Sequence, residues 1–386
     1  MKKMLAYMLL LTIVIGSFAG CGMEKPTLNM KRPDSFDPNQ IVSGEADAEK
    51  EDYMNQLIKA AQKEGTLVVY GSCEEEYLTK ACRKFEQLYD INVQYERLSS
   101  GEVQSKIEEE NGRPSADVWF GGTTDPYNLL ATDGLLEAYE AYNASHLLDE
   151  VYRDKEGYWY GIYKGILGFM VNTVELDTLG LDVPKDWSDL VDEKYQGLIW
   201  MSNYNTSGTA KLVLNTMIQK YGYQEGLDYL KDLDKNVYVY TKSGSGPAKN
   251  VGTGACVIGI GFLHDGITQI VNNGYDDIAL VIPESGTSYE IGATAIFKGC
   301  ENPNAAKLWI EFALSPDCVE LGVEAGSYQF MVIDNAAQPA QAYKFGLDPE
   351  NVMDYDFEDA KENTNVYIEA VFEHLGEAVD DRFQTE

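Results

Sequence analysis

From Thr66 onward the chain alternates short apolar runs with helix-spaced segments, and many of the runs meet a glycine beside serine or threonine. Leu67-Val68-Val69-Tyr70 stops at Gly71-Ser72, after which Tyr77, Ala81, Phe85 and Leu88 recur at helical spacing. Ile91 to Tyr95 alternates as a strand, Gly101 to Glu110 reads as a helix, and Ala116 to Phe120 is a strand meeting Gly121-Gly122. Further strands are expected at 198–201, 236–240, 256–260, 278–282 and 291–297. Helices at about 209–221, 224–233, from Asp265, and 304–314 separate them. This alternation restricts the chain to an α/β fold in which helices cover the faces of a sheet. No repeat of fixed period is visible.

The front of the chain says where such a fold would work. Lys2 and Lys3 precede an apolar run from Met4 to Ile15, and Ser17-Phe18-Ala19-Gly20-Cys21 closes it with small residues and a cysteine. That pattern is similar to a bacterial lipoprotein signal over 1–20. It implies lipidation at Cys21 and anchorage to the outer face of the cell membrane. A simple N-terminal membrane anchor is the alternative, and either exports the folded part. Residues 21–52 are polar and read as a flexible tether. No second apolar run approaches membrane-spanning length.

Composition narrows the partners. A net charge of −33 argues against nucleic acid or an anionic membrane surface as the binding partner. Of the six cysteines, removing Cys21 leaves an odd set with no CxxC spacing. This speaks against a structural zinc site or a complete disulfide framework, while one bridge stays open. The 386 residues suffice for two domains or one large two-lobed one.

Open α/β sheets bind ligands beyond the carboxyl ends of their strands, where helix starts gather unpaired backbone N–H groups. Tyr70-Gly71-Ser72, Ser99-Ser100-Gly101, Gly121-Gly122-Thr123, Ser207-Gly208-Thr209 and Ser243-Gly244-Ser245 all fall at or near such ends. Each alone is an ordinary helix cap; together they point to an anion cradle of neutral donors. About four hydrogen bonds to a charged oxygen at ~2 kcal/mol each give ~8 kcal/mol, near micromolar affinity without any arginine. His264-Asp265 follows the apolar run Val257 to Ile260, which places the pair at a strand end, and Glu290 stands beside a glycine turn.

Taken together, Val68 to Ser72, Ser99 to Glu102, Ala116 to Gly122, Asn205 to Ala210, Tyr240 to Lys249, His264-Asp265 and Tyr289 to Ala293 resemble one family. It is that of the exported solute-binding proteins of ABC importers once grouped as ferric-iron binding, with the type II two-lobed periplasmic-binding-protein fold. The Ser-Gly-Thr-Ala, Lys-Ser-Gly-Ser, His-Asp and Tyr-Glu-Ile-Gly patterns are most similar to its sugar-phosphate and aminoethylphosphonate binders. The resemblance implies that His264, Asp265 and Glu290 contact the ligand. It also implies that Ser72, Ser100, Gly122, Thr123, Ser207, Gly208, Thr209, Ser243 and Ser245 hold its phosphate. It further implies a mixed sheet flanked by helices in each lobe, joined by crossover strands near Gly165 and Glu290.

The expectation is therefore a monomeric, lipid-anchored binding protein with no cofactor, no resident metal and no catalytic residue. It passes a phosphate ester or phosphonate to an ABC permease. Lobe 1 is expected over 53–165 plus 290–335 and lobe 2 over 166–289 plus 336–386. An alternative of the same fold is a ferric-iron receptor, disfavoured because the tyrosine pair of ferric binders is replaced here by the run ending in His264-Asp265. An alternative of another class is a surface phosphate-ester hydrolase using Asp265, Glu290 and His264. No GxSxG, HExxH, Walker or GxGxxG arrangement supports it.

Overall fold

The computed structural model describes residues 45–376. The signal segment and Cys21 lie outside the described residues. The expected tether reaches into them, and there the expectation needs correcting: helix α1 (Glu45–Glu64) begins inside it. Ala48 and Glu49 in its first turns are exposed, while Met54, Leu57, Ile58 and Ala61 further along are buried at helical spacing. Lys50 itself is buried and donates to Asn143 at 3.0 Å.

The strands are β1 (Thr66–Gly71), β2 (Asn92–Arg97), β3 (Val118–Thr123), β4 (Leu136–Glu137), β5 (Trp159–Asn172) and β6 (Ile199–Ser202). They continue as β7 (Val237–Thr241), β8 (Ile258–Phe262), β9 (Ile278–Val281), β10 (Tyr289–Phe297) and β11 (Phe330–Met331). The main helices after α1 are α2 (Glu75–Tyr89), α3 (Ser100–Glu109), α4 (Thr124–Thr132), a short α5 (Thr173–Thr178), α6 (Gly208–Tyr221) and α7 (Tyr223–Asp234). Then come α8 (Gly246–Gly252), α9 (Leu263–Val271), α10 (Pro303–Ala313) and a C-terminal helix, Phe357–Leu375. None of the described helices is long and apolar enough to cross a membrane.

Along the sheet the order is β2-β1-β3-β10-β5-β8-β6-β7. β1 runs parallel to β2 and β3, and β6 parallel to β7 and β8, whereas β10 and β5 enter antiparallel. The sheet is thus mixed, in keeping with the expected fold class. β5 carries it from one half to the other: residues 159–166 pair with β10, and 167–172 with β8 and β9. Its sequence pattern hid it, because Gly161, Gly165 and Gly168 interrupt the apolar run. Neighbouring atoms leave no room for a Cβ at these positions, which explains the glycines: one at Gly165 would lie 2.7 Å from Glu290 Oε1.

Each half has its own core. One gathers Tyr70, Val103, Ile107, Trp119, Tyr127, Ile291 and Phe297. The other gathers Phe169, Trp187, Leu212, Val213, Leu230, Val237, Ile258 and Ile260, with Tyr355, Ala360 and Val371 from the C-terminal segment packed into it. Each such buried side chain contributes about 1.5–3 kcal/mol. The C-terminal helix also reaches α4, so it touches both halves. Cys73, Cys82, Cys256, Cys300 and Cys318 are all free thiols, so the bridge left open by the sequence is not formed among the described residues.

Candidate functional site

The carboxyl ends of the strands point the helix starts at one small cavity of about 50 Å³. Its wall includes Ser72, Ser100, Gly122, Thr123, Ser207, Gly208, Thr209, Ser245, His264, Asp265 and Glu290. All but one of the residues singled out in the sequence therefore meet there. Ser243 stands one step behind the wall, its Oγ 3.2 Å from Ser245 Oγ.

Local sequence explains the placement. Gly121 and Gly122 both adopt φ of +82°, a left-handed conformation that L side chains avoid, and they turn β3 into α4. A Cβ on Gly122 would strike Ser100 Oγ and come within 2.7 Å of Ser72 Cβ. Ser72 accepts from Trp119 Nε1 at 2.8 Å, and Trp119 is stacked on Tyr127 with ring centroids 3.8 Å apart, so the hydroxyl is aimed by rigid aromatics. Ser99 and Glu102 form a capping box that starts α3 and sets Ser100 in its first turn. Thr123 and Ser207 are the cap residues of α4 and α6. These two helix starts face each other so closely that a Cβ on Gly208 would collide with Thr123 Oγ1.

Three groups lining this cavity are buried without a protein partner: Thr123 Oγ1, Ser207 Oγ and His264 Nδ1. Burying an unpaired polar atom costs about 1–3 kcal/mol, so their convergence on one cavity is the strongest local sign of a ligand's polar atoms.

The opposite wall is charged. His264 and Asp265 occupy the first turn of α9 directly after β8, one step beyond the strand end where the sequence placed them. Glu290 lies on β10 opposite Gly165 on β5. His264 Nε2 is 3.4 Å from Glu74 Oε1, and Phe262 stacks on the imidazole with centroids 5.4 Å apart. Burial pulls the imidazole toward neutrality, but the Glu74 hydrogen bond and the charges of Asp265, Glu74 and Glu290 outweigh it and raise His264 to about 9. For Glu74 burial pushes upward, while the His264 hydrogen bond and charge, with hydrogen bonds from Ser327 and Gln329, hold the carboxyl well below its usual range. Burial, then the neighbouring carboxylates, lifts Glu290 to about 8. Burial lifts Asp265 to about 6 against the opposing pull of His264. At neutral pH the wall thus holds an ion pair beside a carboxylic acid.

Sequence reading missed Glu74, Arg97 and Tyr163, all on the cavity wall. Glu74 follows the flagged Gly71-Ser72 turn by two residues and precedes α2, which was the available signal. Arg97 closes β2, two residues beyond where the alternating pattern was ended. It donates to Cys73 O at 3.2 Å and lies 3.4 Å from Ser99 Oγ. A guanidinium therefore also lines the cavity, beside neutral donors that by themselves suffice for the expected affinity. Tyr163 OH accepts from Gly122 N at 3.0 Å, and only the pairing of β5 with β10 brings it there.

Glu74, His264 and Asp265 place one ligand-type atom each within 4.8 Å of one another, the one such group among the described residues. The His264 Nε2 is engaged with Glu74, and Gln329 closes on both, so Glu74 and His264 form an ion pair bridged by an amide rather than an open donor set. Ferric iron favours tyrosinate oxygen. Burial, followed by the charges of Glu290 and Glu74, drives the Tyr163 phenol well above its ordinary pKa, against that chemistry. Tyr238 is 62% exposed and Tyr240 bonds Asp234 at 2.6 Å, and neither is on the cavity wall.

The chain as a whole is similar to known proteins. The chain is 39% identical over 306 residues to an uncharacterized protein of Haemophilus influenzae, covering 78% of this chain and 87% of the relative. It is 24% identical over 175 residues to the phosphoglycerate transport regulatory protein PgtC of Salmonella typhimurium, covering 45% of this chain and 43% of that protein. Among solved structures, the periplasmic binding protein AfuA of Actinobacillus pleuropneumoniae, with exogenous fructose-6-phosphate bound, is 35% identical with a TM-score of 0.76. That match covers 81% of this chain and 98% of AfuA. The ferric binding protein of Campylobacter jejuni, at 18% identity and a TM-score of 0.69 over 80% of this chain and 99% of its own, shares the fold. These neighbours fix the architecture as the two-lobed type II periplasmic-binding-protein fold. Residues 122–363 match the model of the bacterial extracellular solute-binding proteins, and the chain belongs to that family.

Proposed function

We propose that this protein captures a small phosphorylated solute, a sugar phosphate or a close phosphonate analogue, and delivers it to an ABC permease. The observation that carries the reading is the trio of unpartnered, buried Thr123 Oγ1, Ser207 Oγ and His264 Nδ1 lining one cavity. Helix starts and hydroxyls bind the phosphate: Ser72, Ser100, Gly122 and Thr123 from one lobe, Ser207, Gly208, Thr209 and Ser245 from the other, with Ser243 holding Ser245. His264, Asp265 and Glu290 take the organic part, whose hydroxyls pair with a carboxylic acid, a carboxylate and an imidazolium. The fructose-6-phosphate on AfuA supports this substrate class.

The lobes are 53–165 plus 290–335 and 166–289 plus 336–386, hinged where β5 changes partners beside Gly165 and Glu290. A cavity of about 50 Å³ has room for on the order of four waters, so a sugar phosphate enters by parting the lobes. Contacts that closure would make span the two segments: Gly101 N donates to Thr206 O at 3.1 Å, and Lys242 Nζ meets Glu102 Oε1 at 2.5 Å. Cys21 carries the lipid anchor, 1–20 is removed, and the protein acts as a monomer on the outer face of the membrane.

The test is a thermal-shift screen against hexose phosphates, glycerol phosphate, aminoethylphosphonate, phosphate, free sugars and ferric citrate. A ligand at about a hundred times its Kd adds ~2.7 kcal/mol, which raises the melting midpoint by several degrees. A shift with free sugars or ferric citrate and none with phosphate esters or phosphonates would overturn the reading.

A further inference from the structure

Glu74 is more tightly held than any other carboxylate of the cavity wall. Ser327 Oγ donates to its Oε2 at 2.5 Å and Gln329 Nε2 to the same oxygen at 3.0 Å. Gln329 Nε2 is also 3.2 Å from His264 Nε2, so the amide and the imidazole turn their nitrogens toward one carboxylate. Phe262 fixes the ring plane from one face. With Nε2 so engaged, Nδ1 is left buried and without a protein partner beside the cavity. The charged groups around the ring are Glu74 before α2, Asp265 on α9 and Glu290 on β10; Arg97 at the end of β2 and Lys249 on α8 act on Asp265. Tyr163 on β5 and Gln329 before β11 are the neutral polar neighbours.

We propose that Glu74 is a positioning residue for anion capture: its carboxylate, fixed by Ser327 and Gln329, holds the His264 ring by Nε2 and keeps it cationic, so that Nδ1–H donates to the captured solute. This rests on the reading of the cavity as an anion site. The glycine and hydroxyl wall supplies neutral donors, and the Glu74–His264 pair adds a charge-assisted one. The pair is locally neutral, so the site gains a cationic donor without an isolated buried charge.

The experiment follows the three histidine Cε1–H signals by NMR from pH 5 to 10 in the ligand-free protein, the His264 signal being assigned by its loss in His264→Gln. His264 is expected to titrate near 9, Glu74→Gln to lower that midpoint by about two units or more, and Glu74→Asp to retain most of the elevation. Titration calorimetry with fructose 6-phosphate at pH 6 and pH 8.5 is the second arm. The Kd of Glu74→Gln relative to the unaltered protein is expected to grow about tenfold between the two pH values, because only the variant loses its imidazolium in that window. A merely structural role would weaken binding equally at both. An unaltered His264 titrating near 6.5, a midpoint unmoved in Glu74→Gln, or a flat Kd ratio overturns the proposal. Failure of the unaltered protein to bind the ester overturns the phosphate-ester reading itself.

Discussion

The two walls of the cavity are built in opposite ways. On one, Ser72, Ser100, Gly122, Thr123, Ser207, Gly208, Thr209 and Ser245 present neutral donors fixed by helix starts and turns. On the other, Glu74, His264, Asp265 and Glu290 are ionisable groups whose charges depend on one another. On the proposed reading, the neutral wall would recognise charge through oriented dipoles, with no counter-charge and no titrating donor of its own. On the same reading the charged wall would meet hydroxyls and charge together, with a donor pattern that changes as each group titrates. The difference would let a chain of net charge −33 hold the proposed anion: the dipoles act at bonding distance, where the screened field of the whole protein counts for little.

The harshest way to break the neutral wall is steric. Gly208→Val would drive side-chain atoms into Thr123 Oγ1, where even a Cβ collides, and should weaken phosphate-ester binding by about a hundredfold or more, since the donors no longer converge. Calorimetry measures the loss, and circular dichroism establishes that the variant folds. On the charged wall, His264→Ala or Asp265→Ala should cost roughly tenfold in affinity, the loss of about one charge-assisted hydrogen bond. Unchanged affinity would remove that residue from the site.

Milder changes separate the walls by their cost to the free protein. Thr123→Val and Ser207→Ala should each weaken binding about fivefold while leaving the melting midpoint of the free protein level or raised, because each removes a hydroxyl that is buried without a partner. A lowered midpoint would mean that the hydroxyls serve the fold. Glu290 reports on the charged wall through stability. Its pKa rises from 4.5 to about 8 on folding, so the stability it leaves intact below pH 4.5 is lost as pH climbs through 8. Glu290→Gln should flatten the fall of the melting midpoint between pH 5 and pH 8, and an unchanged slope would show that the group does not titrate there. The smallest effect is expected from Lys242→Ala, which removes a partly exposed ion pair with Glu102 and should change affinity by about twofold at most, less at high salt.

The same contrast governs what could be read from the chain. The neutral wall was legible because its determinants are local: a glycine or hydroxyl at a strand's end is visible within three residues. The charged wall was only half legible. His264, Asp265 and Glu290 stand in recognisable runs, but the role of Glu74 depends on Ser327 and Gln329, which are distant in sequence and reach it only through tertiary packing. Arg97 was lost because β2 runs two residues further than its alternating pattern. Tyr163 was lost because three glycines disguise β5, and those glycines are set by close approach rather than by a turn. The start of α1 was misread for a related reason, since a polar first turn and a tether share a composition until the buried stripe from Met54 to Ala61 is counted.

The central claim is that one cavity takes a phosphate group and a hydroxylated body together. Titration calorimetry of the purified protein with fructose 6-phosphate, set beside fructose and inorganic phosphate under identical conditions, tests it most directly. The account predicts Kd near the micromolar range for the ester and binding at least about a hundredfold weaker for each part alone, since the two walls contribute to one event. Free fructose binding as tightly as its phosphate ester would contradict it.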